Sequence, residues 1–446
     1  MTIEGEQTYR AGIATTDITP PVGTPLGGYA DRYVHTSTGV YHPLRAVAVA
    51  IEDDDCALVL VSAEWLGFYE QADRVRAMVS GSTGLPVSNI VLSATHTHCG
   101  PALGSRERAY HGWIDENYLQ VAMEKIAEAA GQAWRHRYPA TLRYGTAQCD
   151  VAMNRRFPQP TPAGSTAVTM APNPVGPVDH DVGVLVVESA ADGAPRGVVF
   201  SYSCHPTSRD GLQIGGDYVG FAYEYLDQRL PTAQPCFLQG CAGDQKPKPL
   251  AGDTQFTRRT VDEVREIGYE LGRAVDQLLH EDCLDWVHGP LAIRQTVVEL
   301  QTEELDDSAL RAELTNPELA YRRRWAEHHL RRLEEGLRTE REVPFEIQTM
   351  SFGRSLAVVA MAGEMTVEHG TRLKRELGER FAHVLPLGYA NGMVGYVPVE
   401  RQFKELGYEV LDANQYFLRT GRYLSDTESR IHDTVRAMLR SADERS

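Results

Sequence analysis

Two segments far apart in the chain place histidines where metal chemistry could occur. Segment 94–101 reads Ala-Thr-His-Thr-His-Cys-Gly-Pro and holds His96 and His98, and segment 203–208 reads Ser-Cys-His-Pro-Thr-Ser and holds His205. Each histidine segment follows an apolar, β-prone run and stops at a Gly-Pro or Pro-Thr break, which predicts strands whose ends expose the imidazoles. Because residues i and i+2 of an extended strand point to one face, His96 and His98 are expected to serve one cavity. They are either two metal ligands or two hydrogen-bonded surface histidines.

The overall composition excludes several function classes. The chain has 446 residues and a formal charge of −17, with 61 acidic against 44 basic residues, which argues against nucleic-acid partners and anionic lipid surfaces. The first residues lack the pattern of a secretory signal, and no run approaches the roughly 18–20 apolar residues that span a bilayer. The seven cysteines are scattered without a Cys-x-x-Cys pair, which is typical of reduced thiols. We therefore expect a cytoplasmic protein with a small-molecule substrate and no stable membrane association; the sequence leaves its oligomeric state unknown.

Strand and helix patterns alternate from the start of the chain. Strands are predicted at 46–51 and 57–62, a helix at 69–80 and a further strand at 89–95, which together form a β-α-β unit. This unit places the paired histidines at the carboxyl end of a strand, where open α/β sheets bind ligands. The predicted fold is α/β, a single large catalytic domain over residues 1–446 with mixed β-sheets flanked by helices.

Other segments have distinct local signatures. Asp115 is a predicted N-cap of a long helix, and residues 158–177, rich in Pro, Gly, Ser and Thr, are predicted as a loop. The charge-dense stretch at about 303–343 is predicted as a helical insertion, divided into two helices by the Asn-Pro step at 316–317. Its alternating charges are typical of a solvated helical face, with a partner-binding role as the alternative.

Six segments in chain order resemble motifs of the neutral ceramidase family, a group of zinc-dependent amide hydrolases. The resemblance extends over residues 11–416 and implies a ceramidase-like fold. The matching segments are 14–23 (Ala-Thr-Thr-Asp-Ile-Thr-Pro-Pro-Val-Gly), 39–46 (Gly-Val-Tyr-His-Pro-Leu-Arg-Ala), 94–101, 154–156 (Asn-Arg-Arg), 363–366 (Gly-Glu-Met-Thr) and 390–409, which contains Tyr396 and Tyr408.

The resemblance implies a role for particular residues on both sides of a metal ion. It implies that Zn²⁺ is bound by four ligands, namely His96, His205, Glu364 and Tyr396. It implies that His98, Arg155 and Tyr408 line the side of the metal ion where the substrate reacts. The residues alone favour both His96 and His98 as ligands, whereas the family pattern reserves His98 for the substrate. By its local sequence, Glu364 is either such a ligand at a strand exit or a carboxylate at a helix N-terminus.

The chain departs from the family at a position proposed there as a serine nucleophile. The family segment Gly-Asp-Val-Ser-Pro-Asn is replaced at 243–248 by Gly-Asp-Gln-Lys-Pro-Lys, so Lys246 excludes a serine nucleophile at that point. Lys246 is either a solvated loop charge or an anchor for an anionic substrate group. A cysteine hydrolase using Cys99 or Cys204 is a rival interpretation, but neighbours on a strand face opposite ways, so Cys99 is poorly placed to pair with His98.

These observations predict a zinc-dependent hydrolase that cleaves an amide bond, or a lactone or ester bond, by attack of zinc-bound water. Secreted ceramidases carry a C-terminal β-sandwich domain and a signal, neither of which is expected here, so a small soluble substrate is favoured. One alternative is a ceramidase that acts on N-acyl sphingoid lipids. The other is a non-catalytic relative that binds a metal or a sugar.

Overall fold

The computed structural model describes residues 9–32, 34–104, 113–160, 166–305, 307–315, 320–337 and 341–440. Its strands are β1 (Tyr9–Asp17), β2 (Gly39–Val40), β3 (Arg45–Glu52), β4 (Ala57–Ala63), β5 (Ile90–Ala94), β6 (Tyr138–Gln148), β7 (Ala152–Pro160), β8 (Thr166–Asn173), β9 (Asp181–Ser189), β10 (Pro195–Tyr202), β11 (Gln213–Ile214), β12 (Gln234–Gln239), β13 (Gln245–Pro247), β14 (Asp285–Val287), β15 (Leu291–Gln301), β16 (Glu342–Phe352), β17 (Leu356–Met361), β18 (Glu364–Met365), β19 (His383–Leu387) and β20 (Tyr396–Val397). Its α-helices are α1 (Gln71–Thr83), α2 (Glu116–Arg135), α3 (Asp217–Arg229), α4 (Val261–Glu281), α5 (Asp307–Leu314), α6 (Ala320–Glu334), α7 (Val367–Leu377), α8 (Glu400–Glu405), α9 (Ala413–Tyr416) and α10 (Thr427–Arg440).

Two large mixed sheets pack face to face between two layers of helices. The first sheet has the order β12-β10-β9-β6-β1-β3-β4-β5, with β14 beside β6, and the second has the order β15-β16-β17-β19. Val49 and Leu60 of the first sheet share one apolar cluster with Met350 and Leu385 of the second. Helices α1 to α4 cover the outer face of the first sheet, and α7 and α10 cover that of the second. This architecture confirms the predicted fold class.

Three parallel strand pairs orient the site. β4 pairs with β5, β10 with β12 and β17 with β19, and helices α1, α3 and α7 make the respective connections. The first of these units is the predicted β-α-β unit, which is confirmed. Because the strands of each pair run in the same direction, their carboxyl ends present loops at one edge of the sheet.

The predicted loop at 158–177 is wrong, since β7 and β8 form an antiparallel hairpin there. Strand β13 pairs with residues 152–154 of β7. Among the described residues, no further strand pairs with this edge of the second half of β7, which contains Pro158 and Pro160. Proline lacks an N–H group and is tolerated at such an edge. The composition therefore indicated a loop at a place where tertiary pairing supports a strand. Residues 161–165 lie outside the described part of the chain.

The charge-dense segment forms two helices, α5 and α6, between β15 and β16, as predicted. The Asn-Pro step at 316–317 lies outside the described residues. The indole Nε1 of Trp325 donates to the carbonyl oxygen of Arg419 at 2.6 Å, so α6 is fixed to the chain near the site. Asp115 caps α2 as predicted, because its side chain accepts from the amide of Tyr118. None of the described helices combines the length and the apolar character needed to cross a bilayer. That one domain extends over residues 1–446 stays a prediction.

Candidate active site

The exits of three strands bring distant side chains to one place. β5 is followed by His96 and His98, β10 by His205, and β17 by Glu364. The short strands β18 and β20 pair in parallel, so that Glu364 stands opposite Tyr396. Residues that are up to 300 positions apart in the sequence therefore meet at the edge of the sheet where open α/β folds bind ligands.

The side-chain donors converge at close range. Nε2 of His96 lies 3.2 Å from Nε2 of His98 and 3.3 Å from Oε2 of Glu364. Nε2 of His205 lies 3.1 Å from the same carboxylate oxygen and 3.3 Å from the Tyr396 hydroxyl. Ligand atoms of the three histidines all lie within 4.8 Å of one another. The structure thus brings all four predicted ligands together with His98, and this set of nitrogen and oxygen atoms suits a transition-metal ion.

Backbone carbonyl groups fix the tautomers of two histidines. Nδ1 of His96 donates to the carbonyl oxygen of Leu66 at 2.5 Å, and Nδ1 of His205 donates to that of Ala242 at 2.6 Å. A carbonyl oxygen only accepts, so each Nδ1 carries the proton and each Nε2 presents a lone pair to the centre. Metal-ligating histidines are oriented in this manner by their second nitrogen.

Burial determines the charge of the cluster. It lowers the pKa of His205 to about 4, and burial together with the neighbouring His96 lowers the pKa of His98 well below its usual value. Burial would raise the pKa of Glu364, but His96 and His205 hold that pKa well below its usual value. At neutral pH His98 and His205 therefore carry neutral imidazoles and Glu364 is an ionised carboxylate, which are the protonation states that bind metals.

The local backbone differs from the expected extended strand. His96 has a φ of +67°, in the left-handed region, so the chain turns directly after β5 and the strand argument for His96 and His98 is wrong. The amide of His96 donates to the carbonyl oxygen of Trp65 at 2.9 Å, which holds this turn. The two rings meet edge to face at an angle of 83° and still serve one cavity. A non-glycine residue held in this region is characteristic of functional sites.

Arg155 is held beside the cluster with one nitrogen free. Its Nε donates to Oε1 of Glu409 at 2.9 Å, and Arg156 donates to the other oxygen at 2.6 Å. Among the described residues, Nη2 of Arg155 is buried without a hydrogen-bond partner. The centre of the guanidinium lies 5.3 Å from the ring of Tyr396 and 5.5 Å from that of Tyr408. Glu409 therefore positions a guanidinium that retains a donor for a ligand.

A cavity of about 220 Å³ lies over the cluster. Its polar lining includes His96, His98, Arg155, Lys246, Glu364, Tyr396 and Tyr408, and its apolar and aromatic lining includes Tyr29, Leu66, Tyr69, Met170 and Phe417. His205 is completely buried beneath it. Tyr408 also lines the cavity, with its ring 5.4 Å from that of Tyr396.

The two cysteines beside the histidines are protonated and face elsewhere. Sγ of Cys99 lies 3.8 Å from the carbonyl oxygen of Arg209, and burial raises its pKa to about 11. Burial also raises the pKa of Cys204 well above its usual value. Since a thiolate is the nucleophilic form, this arrangement argues against a cysteine hydrolase.

Sequence reasoning missed three residues of the site. The Tyr389 hydroxyl lies 3.5 Å from Nε2 of His205, and the ring of Tyr29 lies 4.9 Å from that of His98. The Arg32 guanidinium donates to the carbonyl oxygen of His98, which holds the loop in place. Tyr389 directly follows β19, so the strand-exit rule could have found it. Tyr29 and Arg32 lie on a loop that carries no such signal.

Comparisons with known proteins point to one family. The family described as neutral/alkaline non-lysosomal ceramidase, N-terminal, matches residues 9–260. A curated neutral ceramidase from Pseudomonas aeruginosa is 27% identical over 307 residues, which are 61% of this chain and 43% of that protein. The chain thus spans less than half the length of this curated relative.

Solved structures share the fold. A crystal structure of neutral ceramidase from Pseudomonas aeruginosa matches with a TM-score of 0.72 and 20% identity, covering 94% of this chain and 72% of the other. A ceramidase complexed with C2 matches with the same TM-score and identity and with 73% of its chain covered. The family match includes His96, His98, Arg155 and His205, whereas Glu364, Tyr396 and Tyr408 lie beyond its end.

Proposed function

The chain belongs to the neutral/alkaline non-lysosomal ceramidase family, and from this premise we propose that it is a zinc-dependent hydrolase of carbon–nitrogen amide bonds. The observation that carries the proposal is the convergence of His96, His98, His205 and Glu364 beneath a cavity. A structural metal site needs neither a cavity nor a free guanidinium donor beside it, and here both occur. Lactone or ester cleavage would use the same arrangement.

The donor set fits zinc. His96, His205, Glu364 and Tyr396 would hold the ion, because imidazole nitrogens and carboxylate oxygens are common zinc ligands. Tyrosine is an unusual ligand, yet its hydroxyl lies 3.3 Å from Nε2 of His205 and faces the same centre. When bound, zinc polarises a carbonyl group and lowers the pKa of water to about 7.

His98 is suited to move a proton. Burial keeps its ring neutral at pH 7, so its Nε2, 3.2 Å from that of His96, can accept a proton. We propose that it then passes the proton to the departing amine or alcohol, as general acid–base catalysis requires.

Arg155 and Tyr408 are suited to stabilise negative charge. Both line the cavity, where the Tyr408 hydroxyl can donate a hydrogen bond, and Nη2 of Arg155 has no partner among the described residues. We propose that these donors bind the carbonyl oxygen as charge develops on it; loss of one such donor costs roughly 3–4 kcal/mol in comparable enzymes. Glu409 keeps the guanidinium in place and does not touch the substrate.

For the substrate we propose a small soluble N-acyl compound, cyclic amide or lactone. The cavity of about 220 Å³ supports this choice, because the two long chains of a ceramide would have to extend outside it. Ceramide is the second candidate, since the curated relative is a neutral ceramidase. We also propose a cytoplasmic location, because all seven cysteines lie in the described part of the chain and are unpaired.

The test is turnover of an amide panel by protein of known zinc content. The panel contains N-acyl amino acids, cyclic amides, lactones and a short-chain ceramide. We expect about one zinc per chain, turnover of at least one class and loss of turnover after chelation. Full activity after removal of all transition metal would contradict the zinc assignment. Bound zinc without any turnover would support the non-catalytic relative instead.

A further inference from the structure

Lys246 and Arg155 share one face of a strand pair. β13 runs antiparallel to β7, with Lys246 opposite Met153. Arg155 is two residues beyond Met153 on β7, and positions i and i+2 of a strand point to the same side. Diagonal neighbours on one face of a sheet are within reach of long side chains. Consistent with this placement, both cations line the cavity over the histidine cluster.

The Lys246 ammonium has no anionic partner among the described residues. Its side chain contacts the ring of Phe256, with Nζ 5.2 Å from the ring centre. The neighbouring Lys248 is different, because its ammonium is paired with the carboxylate of Asp150. The same short segment thus contains one neutralised lysine and one lysine that faces the cavity.

The carboxylates around the cavity are already engaged. Glu364 is within 3.1 Å of His205 and 3.3 Å of His96, and Glu409 is paired with Arg155 and Arg156. A buried cation without a counterion is costly, and the desolvation cost falls when an anion binds. Burial and the nearby Arg155 lower the pKa of Lys246 to about 8, so the ammonium still predominates at pH 7.

We propose that Lys246, beside the Arg155 guanidinium, forms a subsite for a carboxylate group of the substrate. The inference rests on the proposed amide hydrolase function and specifies its substrate class: an N-acyl amino acid, or the monoamide of a dicarboxylic acid. The ammonium carries three N–H donors, so it can bind a carboxylate while Nη2 of Arg155 stays available to the carbonyl oxygen. A neutral amide would leave the ammonium in the cavity without a counterion.

Affinity for two pairs of probes tests the subsite. The first pair is N-hexanoylglycine and its carboxamide, with the charge on the amine side. The second is the N-butyl monoamide of succinic acid and its methyl ester, with the charge on the acyl side. Calorimetric Kd values are measured on zinc-loaded protein. We expect the charged member of at least one pair to bind roughly 10- to 100-fold more tightly, the range of a charge-assisted hydrogen bond.

Variants separate the lysine from the metal as the source of that preference. Lys246→Met should reduce the preference for the charged member by roughly 10- to 100-fold, and Lys246→Arg should restore part of it. Lys248→Met is the matched control, and its preference should equal that of the wild type. Zinc content and melting temperature are measured for each variant.

Each outcome decides between the two claims. Equal affinity for charged and neutral members of both pairs in the wild type overturns the subsite without any variant. A preference that survives in Lys246→Met, with zinc retained, overturns it, because the preference then does not depend on the lysine. If no amide is hydrolysed but Lys246→Met still loses the preference, the subsite stands and the proposed hydrolase function fails.

Discussion

Two pairs of buried histidines in this protein have nearly the same spacing but opposite surroundings. In the cavity, Nε2 of His96 and Nε2 of His98 lie 3.2 Å apart. In the packing between α7 and α10, Nδ1 of His369 and Nε2 of His432 lie 3.1 Å apart. The cavity rings meet at 83°, whereas the helix rings stack at 22°.

The difference lies in what surrounds each pair. Behind His96 a carbonyl group fixes the tautomer, and in front of it a third histidine and the Glu364 carboxylate converge. Around the helix pair, Oε2 of Glu376 lies 3.6 Å from Nδ1 of His432 and is already bound by Arg436. Close nitrogen atoms alone do not make a metal site. A metal site also requires nitrogen lone pairs that converge on one point, a carboxylate beside them, and a hydrogen bond that fixes the second nitrogen of the ring.

The largest expected effect comes from removing a predicted metal ligand of the cavity cluster. His205→Ala should lose most of the bound zinc and at least about 10³-fold in kcat/KM, because the vacated position is completely buried and offers no replacement donor. Zinc is measured by elemental analysis beside turnover. The matched control is His432→Gln, a change in the stacked pair between α7 and α10, which should keep both zinc and kcat. Equal zinc loss in the two variants would mean that the protein lost its fold rather than a ligand.

His98→Ala sharpens the comparison within the cavity. We expect kcat to fall by roughly 10²–10⁴-fold, the contribution of a general acid–base group, while zinc content stays near the wild-type value. The spacing of 3.2 Å to His96 is compatible with either a ligand or a proton carrier. Zinc loss equal to that of His205→Ala would assign His98 as a ligand, as the residues alone favoured.

Tyr408→Phe tests whether the cavity wall takes part in the chemistry. We expect kcat to fall by about 10²–10³-fold with little change in KM or zinc content, because the proposed hydrogen bond forms only as charge develops on the oxygen. Phenylalanine keeps the ring that packs 5.4 Å from that of Tyr396. A near-normal kcat would leave Arg155 and zinc as the groups that stabilise the oxyanion.

The sequence predicted those parts of the site that depend on local pattern. Apolar strands that end at His96, His205 and Glu364 could be identified because strand periodicity and turn residues are local signals. The family resemblance is confirmed, and the structure brings its implied ligands together, although their roles stay predictions. Tyr29 and Arg32 were missed because each contacts the site only through tertiary packing.

The remaining differences have physical causes of the same kind. The left-handed φ of His96 is held by the hydrogen bond that its amide donates to Trp65 on the loop after β4, and no residue type signals it in advance. The hairpin of β7 and β8 has the composition of a loop but gains strand pairing from the rest of the fold. The sequence did not distinguish a solvated Lys246 from one that faces a ligand. The strand register and the cavity favour the lysine that faces a ligand.

The smallest expected effect concerns the second histidine pair and acid stability. Burial, followed by the charge of Arg372, lowers the pKa of His432 to about 4, from an ordinary value near 6.5. The charged and titratable groups that face it are His369, Arg372, Glu376 and Glu428. Between these pKa values the unfolded chain takes up a proton that the folded protein does not, so stability is lost as the pH falls from about 6.5 to 4.

His432→Gln should therefore flatten the decline of stability in acid. Glutamine can still hydrogen-bond to His369 but does not titrate, so the variant should lose on the order of 2–3 kcal/mol less free energy of unfolding between pH 7 and pH 4. At pH 7 its stability should lie within about 1 kcal/mol of the wild-type value, because the hydrogen bond to His369 is kept. Urea unfolding of both proteins in chelator removes any contribution from metal release, and the zinc-site histidines contribute equally to both curves. Parallel curves for wild type and variant would mean that His432 is protonated in the folded protein. The stacked pair would then carry a charge, and its description as a neutral pair would be wrong.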